Sequence, residues 1–260
     1  LKSSADTKAR LLKLSQSLGD SKGDKVTSEC FASYRSQRLD FGIKPATLNR
    51  ELSTLKSLFR ELKRLGVISY ESSVLTLRKI KEVKIELSFL TSTQIEVLFK
   101  ETKVSKNDSL YYVVLICLST GARWSEAEGV KLSSLVNGGI TFSDTKNGHS
   151  RFVPIDVDLM ELLKGYLKIN QSFKSCYSAY RSAFDRSGIQ CPVGQLAHIL
   201  RHTYASHFTM NGGNIKALQQ ILGHSTLQMT MRYAHLSPAY LDQARLLGPL
   251  ANMDGLKIDW

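Results

Sequence analysis

The spacing of apolar and polar positions divides the chain into helical and strand-like stretches. In "KPATLNRELSTLKSLFRELKRLGVI", Lys44 to Ile68, the residues Leu48, Leu52, Leu55, Phe59, Leu62 and Leu65 recur every three or four positions, which predicts an amphipathic helix. Gly66 is placed to end it. Upstream, "VTSECFASYRSQRLDFG" predicts another helix, with Arg35 and Arg38 exposed. "LRKIKEVKIELSF", Leu77 to Phe89, is charged, weakly patterned and reads as a linker. Thr91 and Gln94 then stand as a capping box at the head of "LTSTQIEVLFKET", and "SLYYVVLICLSTGAR" reads as a buried helix ending near Gly121. Next the period shortens. "VKLSSL", "ITFSDTK" and "SRFVPID" are short β-like runs separated by "NGG" and "NGH", and Asn147-Gly148 is a hairpin signal. Beyond Pro154 the pattern is helical. In "LGHSTLQMTMRYAHL", Leu222 to Leu236, Ser225 is placed to cap a short helix whose apolar stripe is Leu227, Met231 and Ala234. Tyr233 falls off that stripe, beside Arg232.

The expected fold is therefore mainly α with a small antiparallel β-sheet, an α+β architecture in two parts. A basic helical domain spans residues 1–84. A second domain spans 85–260, with a tail from about residue 237 that carries a short apolar helix and a loose end.

At 260 residues, 42% hydrophobic and 22% charged, the chain is long enough to bury a real core. Its longest apolar run, Tyr111 to Leu118, is too short to span a bilayer, and the first sixteen residues lack the apolar core of a signal peptide. No membrane role and a cytoplasmic location are expected. Cys30, Cys117, Cys176 and Cys191 are scattered, which argues against a zinc ribbon or a disulfide scaffold. The formal charge is +12. Residues 1–87 hold 18 Lys and Arg against 10 Asp and Glu, and the remainder 17 against 13. Such a balance points to a polyanion, most often nucleic acid. Lys56, Arg60, Lys63 and Arg64 lie off the leucine stripe on one cationic side, suited to tracking phosphates.

Four segments carry candidate chemistry: Arg123 in "TGARWSEAEGV", Lys146 in "DTKNGHS", His198 and Arg201 in "HILRHTYASHF", and His224 and Tyr233 in "LGHSTLQMTMRY". Each alone has an ordinary reading as a surface cation, a satisfied polar group or a half-buried phenol. In this order and number they resemble the tyrosine recombinase, or phage integrase, family, most like the integrases of temperate bacteriophages. The resemblance covers nearly the whole chain, and "TLNRELSTLKSLF" is similar to that family's core-binding domain. It implies a helical DNA-binding domain followed by a catalytic domain. Arg123, Lys146, His198, Arg201, His224 and Tyr233 would be catalytic, with Tyr233 as nucleophile and Glu126 as a supporting acid. Family members often carry a further N-terminal domain for arm-type DNA sites; no segment matches it here, so a piece of a longer protein is expected.

The chemistry fits these residue types. Attack on a phosphodiester builds charge on its non-bridging oxygens, and two guanidiniums can clamp them with forked donors. A phenol with a pKa near 10 needs a base, here assigned to His198. Lys146 on its hairpin would protonate the leaving 5′-oxygen, and His224 would donate a hydrogen bond to the phosphate. The resemblance further implies a 3′-phosphotyrosyl intermediate, with no cofactor, metal or ATP. The expected partners are double-stranded DNA at attachment or core sites, a homotetramer on synapsed DNA with the tail linking subunits, a host DNA-bending protein and an excisionase. Three rivals stand beside this reading. A type IB topoisomerase shares the chemistry. His198 and His202 have the i, i+4 spacing of zinc ligands, though Arg201 between them would repel a dication. A non-catalytic DNA-binding module would have no use for the complete set.

Overall fold

The chain, seen in a computed structural model that describes residues 4–82, 87–143 and 150–237, divides into two units, Leu1–Ile85 and Glu86–Trp260. Lys146, the Asn147-Gly148 turn and the tail beyond Ser237 lie outside the described residues.

The first unit is built on the leucine stripe. Helix α1 spans Ser4–Ser17, α2 Ser28–Asp40 and α3 Pro45–Arg64. The Thr27 side chain accepts the Cys30 N–H and caps α2, while Pro45 opens α3, where a missing donor costs nothing. Leu48, Leu52, Leu55 and Phe59 pack with Leu14, Leu18, Phe31 and Tyr34 into one core. The stripe ends earlier than its spacing predicts. Leu65 is 58% exposed because it is the C-cap of α3, where the chain turns away through Gly66 at φ +70°. Arg35 and Arg38 are half-buried rather than exposed. Arg35 donates to the Arg78 carbonyl at 3.0 Å, and Arg38 pairs with Glu51 at 3.4 Å. The buried amide of Asn49 donates to the Ile80 carbonyl at 2.9 Å and accepts the Ile80 N–H at 2.8 Å, fastening the segment that follows α3.

In the second unit, α4 spans Ser92–Lys103 and opens on the expected Thr91/Gln94 capping box. Helix α5 (Ser109–Thr120) is buried and stops at left-handed Gly121. The short α6 (Trp124–Glu128) follows. Strands β1 (Leu135–Val136), β2 (Gly139–Ser143) and β3 (Ser150–Pro154) form an antiparallel sheet in that order, with Ile140 opposite Leu135 and Val153, and Phe142 opposite Arg151. "VKLSSL" contributes little strand. Leu132–Ser134 is a 3-10 turn, and β1 is cut to two residues by the left-handed Asn137-Gly138 turn. Helices α7 (Val157–Asn170), α8 (Tyr177–Arg186), α9 (Ile199–Met210) and α10 (Ile215–Leu222) follow. Val113, Ile116, Ile140, Val153, Leu163 and Ile199 lie in the core, where Trp124 stacks on Tyr180 at 4.5 Å between ring centroids.

The last described segment departs from its sequence pattern. Helix α11 is only Leu227–Thr230 and runs into a 3-10 helix, Met231–Leu236. Its N-cap is Thr226, not Ser225, whose hydroxyl instead donates to Met229 Sδ at 3.6 Å. Leu227 and Met231 are 43% and 46% exposed, while Tyr233 is 1% exposed and Thr230 is fully buried. A 3-10 helix aligns residues three apart, so Thr230 and Tyr233 share the inner face and the expected stripe turns outward.

Candidate active site

Two helix ends and one buried arginine organise the site. Helices α5 and α10 both stop at a left-handed glycine, Gly121 and Gly223. A Cβ on Gly121 would lie 2.6 Å from Leu222 Cδ2 and 2.7 Å from Tyr204 Cδ1, so only glycine lets α5, α9 and the end of α10 meet there. Arg201, on α9 and 5% exposed, donates from Nη1 to the Gly121 carbonyl at 2.8 Å and from Nη2 to the Leu222 carbonyl at 2.7 Å. These bonds satisfy carbonyls that the helix ends leave orphaned. They use two of the five guanidinium N–H groups and leave three for a ligand. Burial and the neighbouring charge of Arg123 bring the pKa of Arg201 down to about 10, still well above neutrality.

Arg123 precedes α6 and is held by Glu126, one turn on. Its Nη1 donates to Glu126 Oε1 at 2.6 Å, and its backbone N–H to Oε2 at 2.8 Å. Glu126 has a second cation that the sequence did not disclose. Arg151, on β3, places Nη2 2.6 Å from Oε2 and Nη1 3.2 Å from Oε1. Its Nε donates to the Ile221 carbonyl at 2.8 Å, and its guanidinium lies over the Phe142 ring at 4.6 Å. Burial opposes ionisation of Glu126, but the bonds and charge of Arg151 and the bonds from Arg123 outweigh it and hold the carboxyl at about 2. Three guanidiniums thus face one carboxylate, a balance that favours an anionic ligand.

His198 and His224 belong to the same electrostatic neighbourhood. The pKa of each is lowered first by desolvation and then by the charges of Arg201 and Arg123, and for His224 the value is about 4. His198 is exposed just ahead of α9, as its N-cap. The Nδ1 of His224 lies 2.9 Å from the hydroxyl of buried Thr230. With the hydroxyl as donor, the neutral ring carries its proton on Nε2 and presents it outward.

Tyr233 does not meet the histidine assigned to it from sequence. Its hydroxyl is 2.7 Å from Nδ1 of His202, and the ring of His198 is a further step away, with centroids 6.1 Å from those of His202. The cause is local. His198 is the N-cap of α9, whereas His202, inside α9, meets Tyr233 of the 3-10 segment. The i, i+4 zinc reading finds no third ligand: among the described residues no group of three His, Cys, Asp or Glu is placed to hold a metal.

The site thus gathers Arg123, His198, Arg201, His224 and a buried tyrosine hydroxyl, with Glu126 and Arg151 bracing the first of them. Lys146 lies outside the described residues. The assigned cations of the first unit are placed differently from one another. Lys56 donates to the Leu75 and Leu77 carbonyls at 2.7 and 2.6 Å, and Lys63 donates to the Ser69 carbonyl. Arg64 pairs with Glu61 at 2.6 Å, and Arg60 is exposed.

A helical domain with a small antiparallel sheet and this arginine, histidine and tyrosine set is the catalytic fold of the tyrosine recombinases. The chain matches the phage integrase family over residues 88–239, and the phage integrase N-terminal domain over residues 1–81. It belongs to the phage integrase family and is a site-specific tyrosine recombinase. The integrase of Haemophilus phage HP1 is 44% identical over 262 residues, covering 96% of this chain and 77% of the relative. The solved catalytic domain of bacteriophage HP1 integrase superposes with a TM-score of 0.59 at 45% identity, over 64% of this chain and 98% of that one. A lambda integrase tetramer bound to a Holliday junction shares the fold at 21% identity and a TM-score of 0.70, over 87% of this chain and 72% of that one. The family assignment over both units favours neither the type IB topoisomerase nor the non-catalytic DNA-binding module.

Proposed function

We propose that Tyr233 attacks a DNA phosphodiester at a core or attachment site, forms a 3′-phosphotyrosyl link and expels a 5′-hydroxyl, and that a 5′-hydroxyl of a second duplex reverses the step. The carrying observation is a tyrosine hydroxyl within the field of Arg201, whose own neighbours are Arg123 and Arg151, both paired to Glu126. Arg123 and Arg201 hold the non-bridging oxygens, with His198 and His224 as further donors. Lys146 protonates the leaving oxygen. Such donors stabilise the charge that develops in the transition state, each worth about 10²–10³ in rate. They occupy the electrostatic role a divalent metal would take, which supports a reaction free of metal and ATP. Because a new ester replaces the old one, bond energy is conserved without a nucleotide.

In this reading residues 1–84 are the core-binding domain and residues 85–260 the catalytic domain. Arg60 and Arg64 belong to the DNA-facing side of the first, beside Lys56 and Lys63, whose ammonium groups are engaged by backbone carbonyls. The working assembly is a homotetramer on synapsed DNA, the tail from about residue 237 linking subunits. A shared fold with a lambda integrase tetramer on a Holliday junction supports that assembly. The outcome is integration and excision of a phage or mobile element in the cytoplasm of a bacterial host, with a DNA-bending protein and an excisionase as accessory partners.

The test uses a duplex selected by this protein from a random-sequence pool, nicked beside the cleaved phosphate, with EDTA present. A covalent protein–DNA band that maps by peptide mass to Tyr233 is expected, and it should vanish in Tyr233→Phe. A band that needs magnesium, or one that survives in Tyr233→Phe, overturns the mechanism.

A further inference from the structure

We propose that His202 is the catalytic base of strand cleavage, its Nδ1 taking the proton of the Tyr233 hydroxyl as that oxygen bonds to phosphorus. The proposal rests on Tyr233 being the nucleophile. It assigns to His202 the task that the family resemblance suggested for His198.

The geometry has three parts. First, the Tyr233 hydroxyl and His202 Nδ1 are 2.7 Å apart, within reach for direct proton transfer. Second, the phenol is 1% exposed and packs with Ala205, Leu218 and Leu222, so solvent water is a poor acceptor for its proton. Third, His202 directly follows Arg201 on α9. One rigid helix therefore sets both a phosphate clamp and the base, and their separation does not depend on a loop. His198 is exposed and outside the helix, where it is better placed to donate to the substrate than to serve a buried phenol.

The surroundings keep His202 in its basic form. The charged or titratable groups that bear on it are His198 before α9, Arg201 on α9, and Arg232 with Tyr233 on the 3-10 segment. Burial, then the charges of His198, Arg232 and Arg201, lower its pKa to about 4. The ring is neutral at neutral pH, and with its proton on Nε2 it offers the Nδ1 lone pair to the phenol. Burial raises the pKa of Tyr233, against the opposing charges of Arg201 and Arg232. An ordinary phenol already holds its proton at neutral pH, so the proton moves while the ester forms. The step balances. The Tyr233 O–H bond breaks and the His202 N–H bond forms. The Tyr233 O–P bond forms and the P–O5′ bond breaks, the leaving oxygen taking a proton from Lys146. In rejoining, His202 returns its proton to the departing Tyr233 oxygen.

The experiment follows single-turnover formation of the covalent band on the selected nicked duplex from about pH 5 to pH 9. It compares the full chain with His202→Ala, His202→Gln, His198→Ala and Tyr233→Phe. Both His202 variants should slow the step by about 100-fold or more at unchanged DNA affinity, and their rates should climb with hydroxide where the unmodified protein has levelled off. Added imidazole should restore His202→Ala, which leaves room for it, and not His202→Gln. His198→Ala should keep the level pH profile of the unmodified protein. A His202→Ala rate and profile equal to the parent's, or a loss that imidazole fails to restore, overturns the proposal, as does a His198→Ala rate that climbs with hydroxide in the way expected of the His202 variants. If neither His202 variant folds, nitrogen NMR of the labelled parent at neutral pH decides: a bare, hydrogen-bonded Nδ1 on His202 supports the proposal and a protonated one ends it. A covalent band in Tyr233→Phe would overturn the nucleophile assignment itself, a result distinct from any His202 outcome.

Discussion

Arg151 places Nη2 2.6 Å from Oε2 of Glu126, tying strand β3 to the short helix that begins after Arg123. The same carboxylate receives Arg123 through its other oxygen at 2.6 Å. Arg151 thus fixes Glu126, and Glu126 fixes Arg123. Replacing Arg151 by Met removes one cation from a mostly buried cluster and leaves the carboxylate half-paired. The expected cost is about 2–3 kcal/mol in urea unfolding of the second unit, near the low end of values for broken buried pairs. Cleavage should fall further than stability explains, because Arg123 loses its brace. A variant that unfolds earlier yet cleaves at the parent rate when folded would confine Arg151 to stability.

Acid should weaken the second unit in two windows. His202 and His224 have folded pKa values of about 4, below the ordinary 6.5. The unfolded chain binds more protons between those values, so stability is full above about pH 6.5 and falls as pH drops toward 4. Each imidazole contributes on the order of 2 kcal/mol to that fall. Glu126, depressed to about 2, contributes stability present above the unfolded carboxylate pKa and lost as pH falls below about 4 toward 2. Urea midpoints against pH check this. His224→Gln should make the upper window shallower, with His202 keeping its share, and leave the lower one in place. An unchanged slope between pH 6.5 and 4 in that variant refutes the assignment.

Thr230→Val should uncouple His224. The hydroxyl 2.9 Å from Nδ1 is the feature that sets the tautomer and the aim of Nε2. Valine keeps the volume and removes the donor, at about 1 kcal/mol of stability. Cleavage should fall about tenfold, the size of a positioning effect rather than of a lost catalytic group. Imidazole nitrogen shifts of His224 report the tautomer directly, and an unaltered tautomer in the valine variant contradicts the role.

Much of this framework is legible in the sequence. The α3 stripe, the Thr91/Gln94 capping box and the left-handed stops at Gly66 and Gly121 are local signals, set by helical period and backbone chirality. Arg123, Arg201, His224 and Tyr233 stand out as a set only through their order, which resembles that of the tyrosine recombinases; each alone is an ordinary arginine, histidine or tyrosine. What could not be read is non-local. Arg151 looks like any strand arginine, since its partner Glu126 is 25 residues away. The His202–Tyr233 bond spans 31 residues and depends on how α9 meets the terminal segment. The stripe of Leu227, Met231 and Ala234 misleads because it assumes α-helical period where the chain winds into a 3-10 helix. A single change of period there carries Tyr233 from the expected surface into the core.

Gly121→Ala should be severe, and Gly42→Ala should serve as its control. Both glycines have positive φ, +64° and +76°, but a Cβ at Gly42 meets nothing within 4 Å. Gly42→Ala therefore carries only the backbone strain, about 1 kcal/mol. At Gly121 the same strain adds to a clash with Leu222 and Tyr204, for a total of about 3 kcal/mol or more. The displaced Gly121 carbonyl would also release Arg201 Nη1. Thermal unfolding of the two variants separates strain from clash, and equal losses would remove the packing explanation.

The basic side of α3 is two kinds of cation, and substitution should tell them apart. Lys56 donates to the Leu75 and Leu77 carbonyls at 2.7 and 2.6 Å, and its pKa is lowered by desolvation and then by the charges of Arg60 and Lys79. It closes the segment after α3 onto the helix. Lys56→Met keeps the stem but leaves two carbonyls without their donor, so the first unit should lose about 1 kcal/mol. Arg60 is exposed, and Arg60→Ala should leave stability unchanged. DNA affinity should respond in the opposite sense. Loss of a phosphate-neutralising arginine lowers the slope of log affinity against log salt by about 0.9, whereas Lys56→Met should leave that slope alone while the unit stays folded. Binding titrations across a salt series, paired with urea unfolding of each variant, make the comparison. A salt slope unmoved by Arg60→Ala removes that arginine from the interface, and a slope lowered by Lys56→Met in folded protein would mean that its ammonium leaves the two carbonyls to reach the DNA.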